Sequence, residues 1–195
     1  NRITEVFVGE YATYDHYKLE NTHNRMTNLM TLLIDQQASS NVISNVITLH
    51  NGVTRNTIEV ALNGKHCETE VCGMVIADKN QTVDNFTSVL HNMPECHSDE
   101  LFKYVLDDVS KGAFTGRLFV EKDAQKTRAY QTNRNIPLNR TAKMRTKLQL
   151  EIFADDVKCS HGATIGQLDD KALFYMRSRG IPYAEARLLL MNAFM

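Results

Sequence analysis

A mainly β chain wound as a parallel β-solenoid, followed by a short C-terminal helical segment, is the fold class this sequence predicts, and three observations predict it. Strand-like clusters centred on Val60, Val75, Val89, Tyr104 and Phe119 follow one another at a nearly constant interval, the mark of a repeating architecture. Turn formers separate the clusters: Asn63-Gly64, Asp78-Lys79-Asn80, Asp107-Asp108, Lys111-Gly112, Glu121-Lys122-Asp123 and Asn133-Arg134-Asn135. The chain also carries 16 Asn and 17 Thr with 3 Pro and no Trp, and small polar residues of this kind can ladder hydrogen bonds between stacked coils. Short strand clusters joined by longer loops fit poorly with hairpins, which prefer tight connections. An antiparallel sandwich with long loops is the competing architecture.

The elements divide into a β core over 1–166 and the start of a helical domain over 167–195. Val157 to His161 reads as a strand near the end of the core. Asp169 then stands where it can cap a helix over Lys171–Arg179, and Gly180 supplies the left-handed residue after its end. Arg177 and Arg179 fall in the final turn, where cations complement the helix dipole. Pro182 suits a first helical position, and Tyr183 to Phe194 reads as a second helix. Leu188, Leu189, Leu190, Met191 and Phe194 spread too widely round its axis for a helix free in water. They are expected to bury against the solenoid end, a continuation of the chain or a partner. The first residue, Asn1, and an ending within an apolar run suggest a piece of a longer protein, with the helical domain truncated.

With 22 basic and 23 acidic residues the net charge is −1, which leaves no basic field for a nucleic acid or an anionic membrane surface. No apolar run reaches the length of a membrane span. Four cysteines at irregular spacing, Cys67, Cys72, Cys96 and Cys159, do not make a disulfide framework. A cytoplasmic location is the expectation.

Among residues that carry chemistry, Cys159 and His161 stand out. In an extended strand, positions i and i+2 project to one face about 7 Å apart. The two side chains can then share a metal or cluster, and His161 could raise the thiolate fraction of Cys159. Two ligands do not complete a tetrahedral site, so such a centre needs partners from elsewhere; a buried Cys beside a surface His is the plainer reading. Cys67-x4-Cys72 has a spacing that closed zinc sites rarely use, and Cys96-His97 would point to opposite faces. His91 and Asp84 share a strand region, and a lone His there is more simply a hydrogen-bonded core or turn residue. The acid pairs Asp107-Asp108, Asp155-Asp156 and Asp169-Asp170 sit at turns and caps. No nucleophile elbow, phosphate loop or His-Glu-x-x-His motif is present, so no self-contained catalytic site is expected. Two other classes remain open: a β-helix polysaccharide-active enzyme, and a stand-alone metal or redox protein using Cys159 and His161.

The run Leu148 to Asp169, containing Phe153-Ala154-Asp155-Asp156-Val157-Lys158-Cys159-Ser160-His161-Gly162-Ala163-Thr164, followed by Leu173-Phe174-Tyr175-Met176-Arg177-Ser178-Arg179-Gly180-Ile181, resembles the C-terminal signature of the SufB/SufD family of the SUF iron-sulfur cluster assembly machinery. Ser98 to Lys103, the Gly112 to Gly116 turn and Gln125 to Asn135 precede it in family order. Cys159-Ser160-His161-Gly162-Ala163-Thr164 favours the SufD branch, since the SufB branch carries Glu-His-Glu-Ala-Thr there. The resemblance implies a right-handed parallel β-helix and a non-catalytic scaffold subunit that pairs with a SufB-like paralogue through the end of the helix. It places a SufC-like ABC ATPase on the C-terminal helices, around Leu173, Phe174, Tyr175, Arg177, Arg179 and Gly180. His161, with Cys159 beside it, would act at the SufB interface. No cofactor is expected to stay bound, only a transient iron-sulfur cluster at that interface. Leu148 and Arg128 depart from the family pattern and are read as surface positions away from the site. In isolation the chain is expected to be capable of pairing with itself through the exposed solenoid end.

Overall fold

In the computed structural model, which describes residues 1–195, twelve strands form two six-stranded parallel sheets. The odd strands are β1 (Arg2–Val8), β3 (Thr27–Gln36), β5 (Val53–Leu62), β7 (Thr82–His91), β9 (Lys111–Val120) and β11 (Lys143–Ile152), stacked in that order in one sheet. The even strands, β2 (Thr13–Asn21), β4 (Asn41–His50), β6 (Glu68–Ala77), β8 (His97–Leu106), β10 (Arg128–Pro137) and β12 (Lys158–Ile165), form the other. Each coil gives one strand to each sheet, so the chain is a parallel β-solenoid of six coils, and the sandwich alternative falls away. Helices α1 (Asp170–Ser178) and α2 (Tyr183–Phe194) follow.

The interval between sequence clusters is half a coil. A full coil carries Thr27 to its register partner Val53 and, further along, Lys111 to Lys143, so the coils lengthen toward the C-terminus. The strands are longer than the sequence suggests, mostly 10 residues, and the connections are correspondingly short. Two segments expected as turns lie inside strands: Lys111-Gly112 opens β9, and Asn133-Arg134-Asn135 belongs to β10. Polar residues at inward positions are the reason. Thr54, Asn56, Asn85, Asn133 and Asn135 are buried, which breaks the apolar alternation that reveals strand length.

Between the sheets lies a core of Val, Leu, Ile and Phe, with Leu32, Ile58, Leu62, Phe102, Phe114 and Leu118 among its fully buried members. Buried polar groups need partners, and many find them along the solenoid axis or across the core between the sheets. Asn56 Nδ2 donates to Asn85 Oδ1 at 2.8 Å, Asn85 Nδ2 to the Tyr104 hydroxyl at 2.6 Å, and that hydroxyl to the Ala113 carbonyl at 2.8 Å. Further along, Thr146 Oγ1 donates to Asn133 Oδ1 at 2.7 Å and Asn135 Nδ2 to the Thr164 carbonyl at 2.9 Å.

The corners obey a second ladder. Tyr11, Ser39, His66, Glu95 and Lys126 occupy the same corner of successive coils, all with φ between 56° and 62°. That left-handed conformation costs a side-chain-bearing residue about 1 kcal/mol. It is offset by amides that reach the next coil: Tyr11 N donates to Ala38 O at 3.0 Å, Ser39 N to Lys65 O at 2.8 Å and Glu95 N to Gln125 O at 2.9 Å.

Glu100, on β8, is the one fully buried acid whose environment opposes its charge: burial pushes its carboxyl up to about 7, against weaker stabilisation from Thr87 and Gln131. Gln131 Nε2 donates to Glu100 Oε1 at 3.0 Å. The Thr87 hydroxyl lies beside the carboxyl but outside hydrogen-bond geometry, leaving Glu100 Oε2 and Thr87 Oγ1 unpaired. A carboxyl with a raised folded pKa holds its proton more tightly folded than unfolded. Its contribution is therefore complete below its ordinary value of 4.5 and is lost as pH rises to about 7. Forcing it to ionise costs about 3 kcal/mol. Glu100→Gln should therefore raise the melting temperature by about 5 °C or more at pH 8 and far less at pH 4.5. Calorimetry at the two pH values checks this; equal shifts would show that Glu100 is not the responsible group.

Candidate functional site

The last coil, β11 and β12, has no coil above it, and the residues that face inward on it are the candidate site. β12 is an edge strand, paired only with β10. In its register Cys159 lies over Ala129 and His161 over Gln131. Ala129 and Gln131 are buried core residues, so Cys159 and His161 continue the inward face one rung further. Cys159 is half-buried against the core, whereas His161 is exposed and makes no hydrogen bond. The shared face expected from their i, i+2 spacing is present.

The chemistry between them differs from the expectation. Burial pushes the Cys159 thiol up, partly countered by a backbone hydrogen bond from Ala129, so the thiolate form is disfavoured and His161 is not among the groups that tune it. Among His, Cys, Asp and Glu side chains, no group of three or more gathers here or elsewhere. Cys159 and His161 are two potential ligands at an open end.

The other candidate chemistry resolves into structure. His91 is buried, its Nε2 2.8 Å from Ser98 Oγ, and burial lowers its pKa to about 4. Asp84 pairs outward with Arg55 at 2.9 Å. Cys67 and Cys96 are buried at one corner, each thiol donating to the Gly64 carbonyl at 3.2 Å, while Cys72 faces outward on β6. Leu148 is not a surface position: it packs against the core from β11. It stands one rung above Gly116, as His161 stands one rung above Gln131.

Beneath His161 lies what the sequence does not reveal. Gln131 is 1% exposed, and its amide lies flat against Gly116 across the core, where a Cβ on Gly116 would sit 2.2 Å from Nε2. Its Oε1 is buried without a partner. Glu100, Gln131 and His161 thus occupy three successive rungs. Each lies one full coil beyond the last in sequence, and that regular spacing is the signal that joins them.

The helical segment projects a second surface. Asp169 caps α1, its Oδ1 accepting from Lys171 N at 2.8 Å and Ala172 N at 3.2 Å. At the other end Gly180, φ 89°, donates to the Arg177 carbonyl while Ile181 N donates to the Met176 carbonyl, which completes a Schellman turn. Pro182 is the N-cap of α2 rather than its first residue, and no side chain caps that end. No residue of α1 is buried; Phe174 and Tyr175 are 74% and 60% exposed. Arg179 stacks on Tyr175 with its guanidinium 5.3 Å from the ring, and Arg177 on Tyr183 at 5.5 Å. Leu173 instead lines a groove of about 500 Å³ with Leu138, Arg140 and Arg187. Helix α2 lies beside the even-strand sheet rather than over the solenoid end. Lys103 Nζ, from β8, donates to the Phe194 carbonyl at 2.8 Å. The sheet therefore supplies the cation that the last turn of α2 lacks. Leu188 and Leu189 remain largely exposed, so this helix buries only part of its apolar surface.

Comparison with known proteins yields a family. The one described as the SUF system FeS cluster assembly, SufBD core domain, matches residues 1–194. The chain is 36% identical over 189 residues to the iron-sulfur cluster assembly protein SufD of Escherichia coli, covering 96% of the chain and 44% of that protein. It is 33% identical over 194 residues to a SufBD family protein of Synechocystis, covering 100% of the chain and 43% of that protein. With SufD of Bacillus subtilis it shares 26% identity over 199 residues, 100% of the chain and 45% of that protein. The chain thus spans about half the length of the curated relatives it matches.

The exposed hairpin depends on its cap. Asp169→Ala should cost α1 about 1 kcal/mol and speed amide hydrogen exchange at Lys171 and Ala172, with protection in β10 unchanged.

Proposed function

The chain belongs to the SufBD core-domain family of the SUF iron-sulfur cluster assembly system, and from that membership we propose that it acts as a non-catalytic scaffold half, completed at its open end by a paralogous subunit. The observation that carries the reading is the uncovered last coil, which sets His161 and Cys159 on an exposed inward face beside the free edge of β12. An unpaired strand edge is a template for another chain. A SufB-like partner docking there would satisfy the edge and add the ligands that Cys159 and His161 lack. The nascent iron-sulfur cluster is then cargo held across the interface, with the imidazole of His161 contributing a lone pair. Because the Cys159 thiol is disfavoured from ionising, loading at that sulfur requires the partner or the metal to displace its proton.

Helices α1 and α2 form the second docking surface in this reading. The exposed Phe174 and Tyr175, with Arg177 and Arg179 stacked on tyrosine rings, fit the aromatic and Arg-rich character of interface centres. A SufC-like ATPase would bind here around Gly180, and its ATP-driven movement would reach the solenoid through α2 and its Lys103 anchor. Hydrolysis belongs to that partner, and assembly takes place in the cytoplasm.

His161→Ala, at an exposed side chain without hydrogen bonds, should leave the melting temperature within about 1 °C. It should lower cluster formation by the reconstituted complex about tenfold or more. Wild-type cluster yield from that variant would sink the reading. Stoichiometric iron or zinc retained by the purified protein without partners would favour a stand-alone metal protein instead. Co-purification with SufB-like and SufC-like subunits, against self-association of the chain, reports on both docking surfaces.

A further inference from the structure

We infer that Gln131 is a positioning residue for His161, its side-chain carbonyl taking the inward ring N–H so that the other ring nitrogen faces the open end as a lone-pair donor. The inference deepens the cluster-assembly reading and rests on it.

Four observations meet at this point. Gln131 sits directly beneath His161 in register, and adjacent strands stand about 4.8 Å apart, within the reach of an imidazole turned toward the core. Its amide is held from two sides: Nε2 is committed to Glu100 Oε1 at 3.0 Å, and the plane is pressed on Gly116. With the amide so fixed, Oε1 is left buried and without a donor. Such an orphan is costly and invites any donor that can reach it.

Two donors on the neighbouring inward positions are already engaged. The Thr146 hydroxyl, inward on β11, donates to Asn133 Oδ1, and Asn133 Nδ2 donates to the Phe102 carbonyl. Leu148, opposite on the same rung as His161, has no polar atom on its side chain. The remaining polar side chain over Gln131 is His161 itself. Its ring is exposed and free of hydrogen bonds, and exposed rotamers exchange on the picosecond to nanosecond scale. Rotation onto Oε1 satisfies the orphan and chooses between the two tautomers.

That choice matters for a residue that offers a lone pair to cargo. A ligating imidazole characteristically donates its other N–H to a carbonyl or carboxylate, which fixes the ring and raises its basicity. The carbonyl of a clamped amide does this without bringing a charge. Gly116 is the enabling feature, since any larger side chain there would displace the amide.

The test uses the full-length protein with 15N-labelled histidine, reading the tautomer ratio of the neutral His161 ring by nitrogen chemical shifts. The second readout is cluster formation by the reconstituted complex. Gln131→Met keeps the volume but removes the acceptor; the tautomer ratio should shift by about threefold or more and cluster yield should fall about tenfold. Gln131→Glu keeps an acceptor: the introduced carboxyl and Glu100 share one proton, and the tautomer preference should return. An unchanged ratio in Gln131→Met, or full cluster yield with a changed ratio, overturns the inference. Full yield from His161→Ala would instead overturn the cluster-assembly reading, while the ring measurement would still decide whether Gln131 orients His161.

Discussion

Hydrogen bonds directed along the solenoid axis are the constraint on which the rest of the structure depends. Backbone ladders join strand to strand in both sheets, corner amides in left-handed residues reach the next coil, and the buried Asn56–Asn85 pair does the same inside the core. Each coil is thus bonded at its sheets, its corner and its interior to the coil beside it. A polar residue enters such a core most readily when a partner sits one coil away in register or across the core, because an unpaired buried amide costs more than a paired one returns.

This constraint explains the composition. Asn in a globular core is ordinarily a liability, yet here Asn56 and Asn85 stack in register and bond to each other, and Asn133 and Asn135 find Thr146 and backbone carbonyls. It also explains where the accounting fails. Glu100 Oε2, Thr87 Oγ1 and Gln131 Oε1 are three of the eight buried polar atoms left unsatisfied, and these three lie near the column that ends at His161.

The solenoid is legible in the sequence because turn formers punctuate it at half-coil intervals. Spacing alone places Cys159 and His161 on one face, and Asp169 and Gly180 directly announce the α1 cap and its glycine stop. Strand length is hidden, since Thr54, Asn56, Asn133 and Asn135 look like turn or surface residues until their axial partners are known. The Gln131 and Glu100 layers are hidden for a related reason. Contact between residues one coil apart follows from coil length, and that length is not constant: the step from Lys111 to Lys143 is longer than the step from Thr27 to Val53. Leu148 looks peripheral because the inward face of β11 becomes evident only once Gly112, Phe114 and Gly116 are seen beneath it.

The uncovered last coil has a thermodynamic consequence. In a stack stabilised by nearest-neighbour terms, a terminal unit has one neighbour where interior units have two. The coil bearing His161 therefore opens at a lower free energy than the coils beneath it, and its fluctuations are local rather than global. Anything that seats on it supplies the missing neighbour term. On the proposed reading, docking and ordering become linked equilibria, and the rigidity of the face bearing His161 depends on what seats on it.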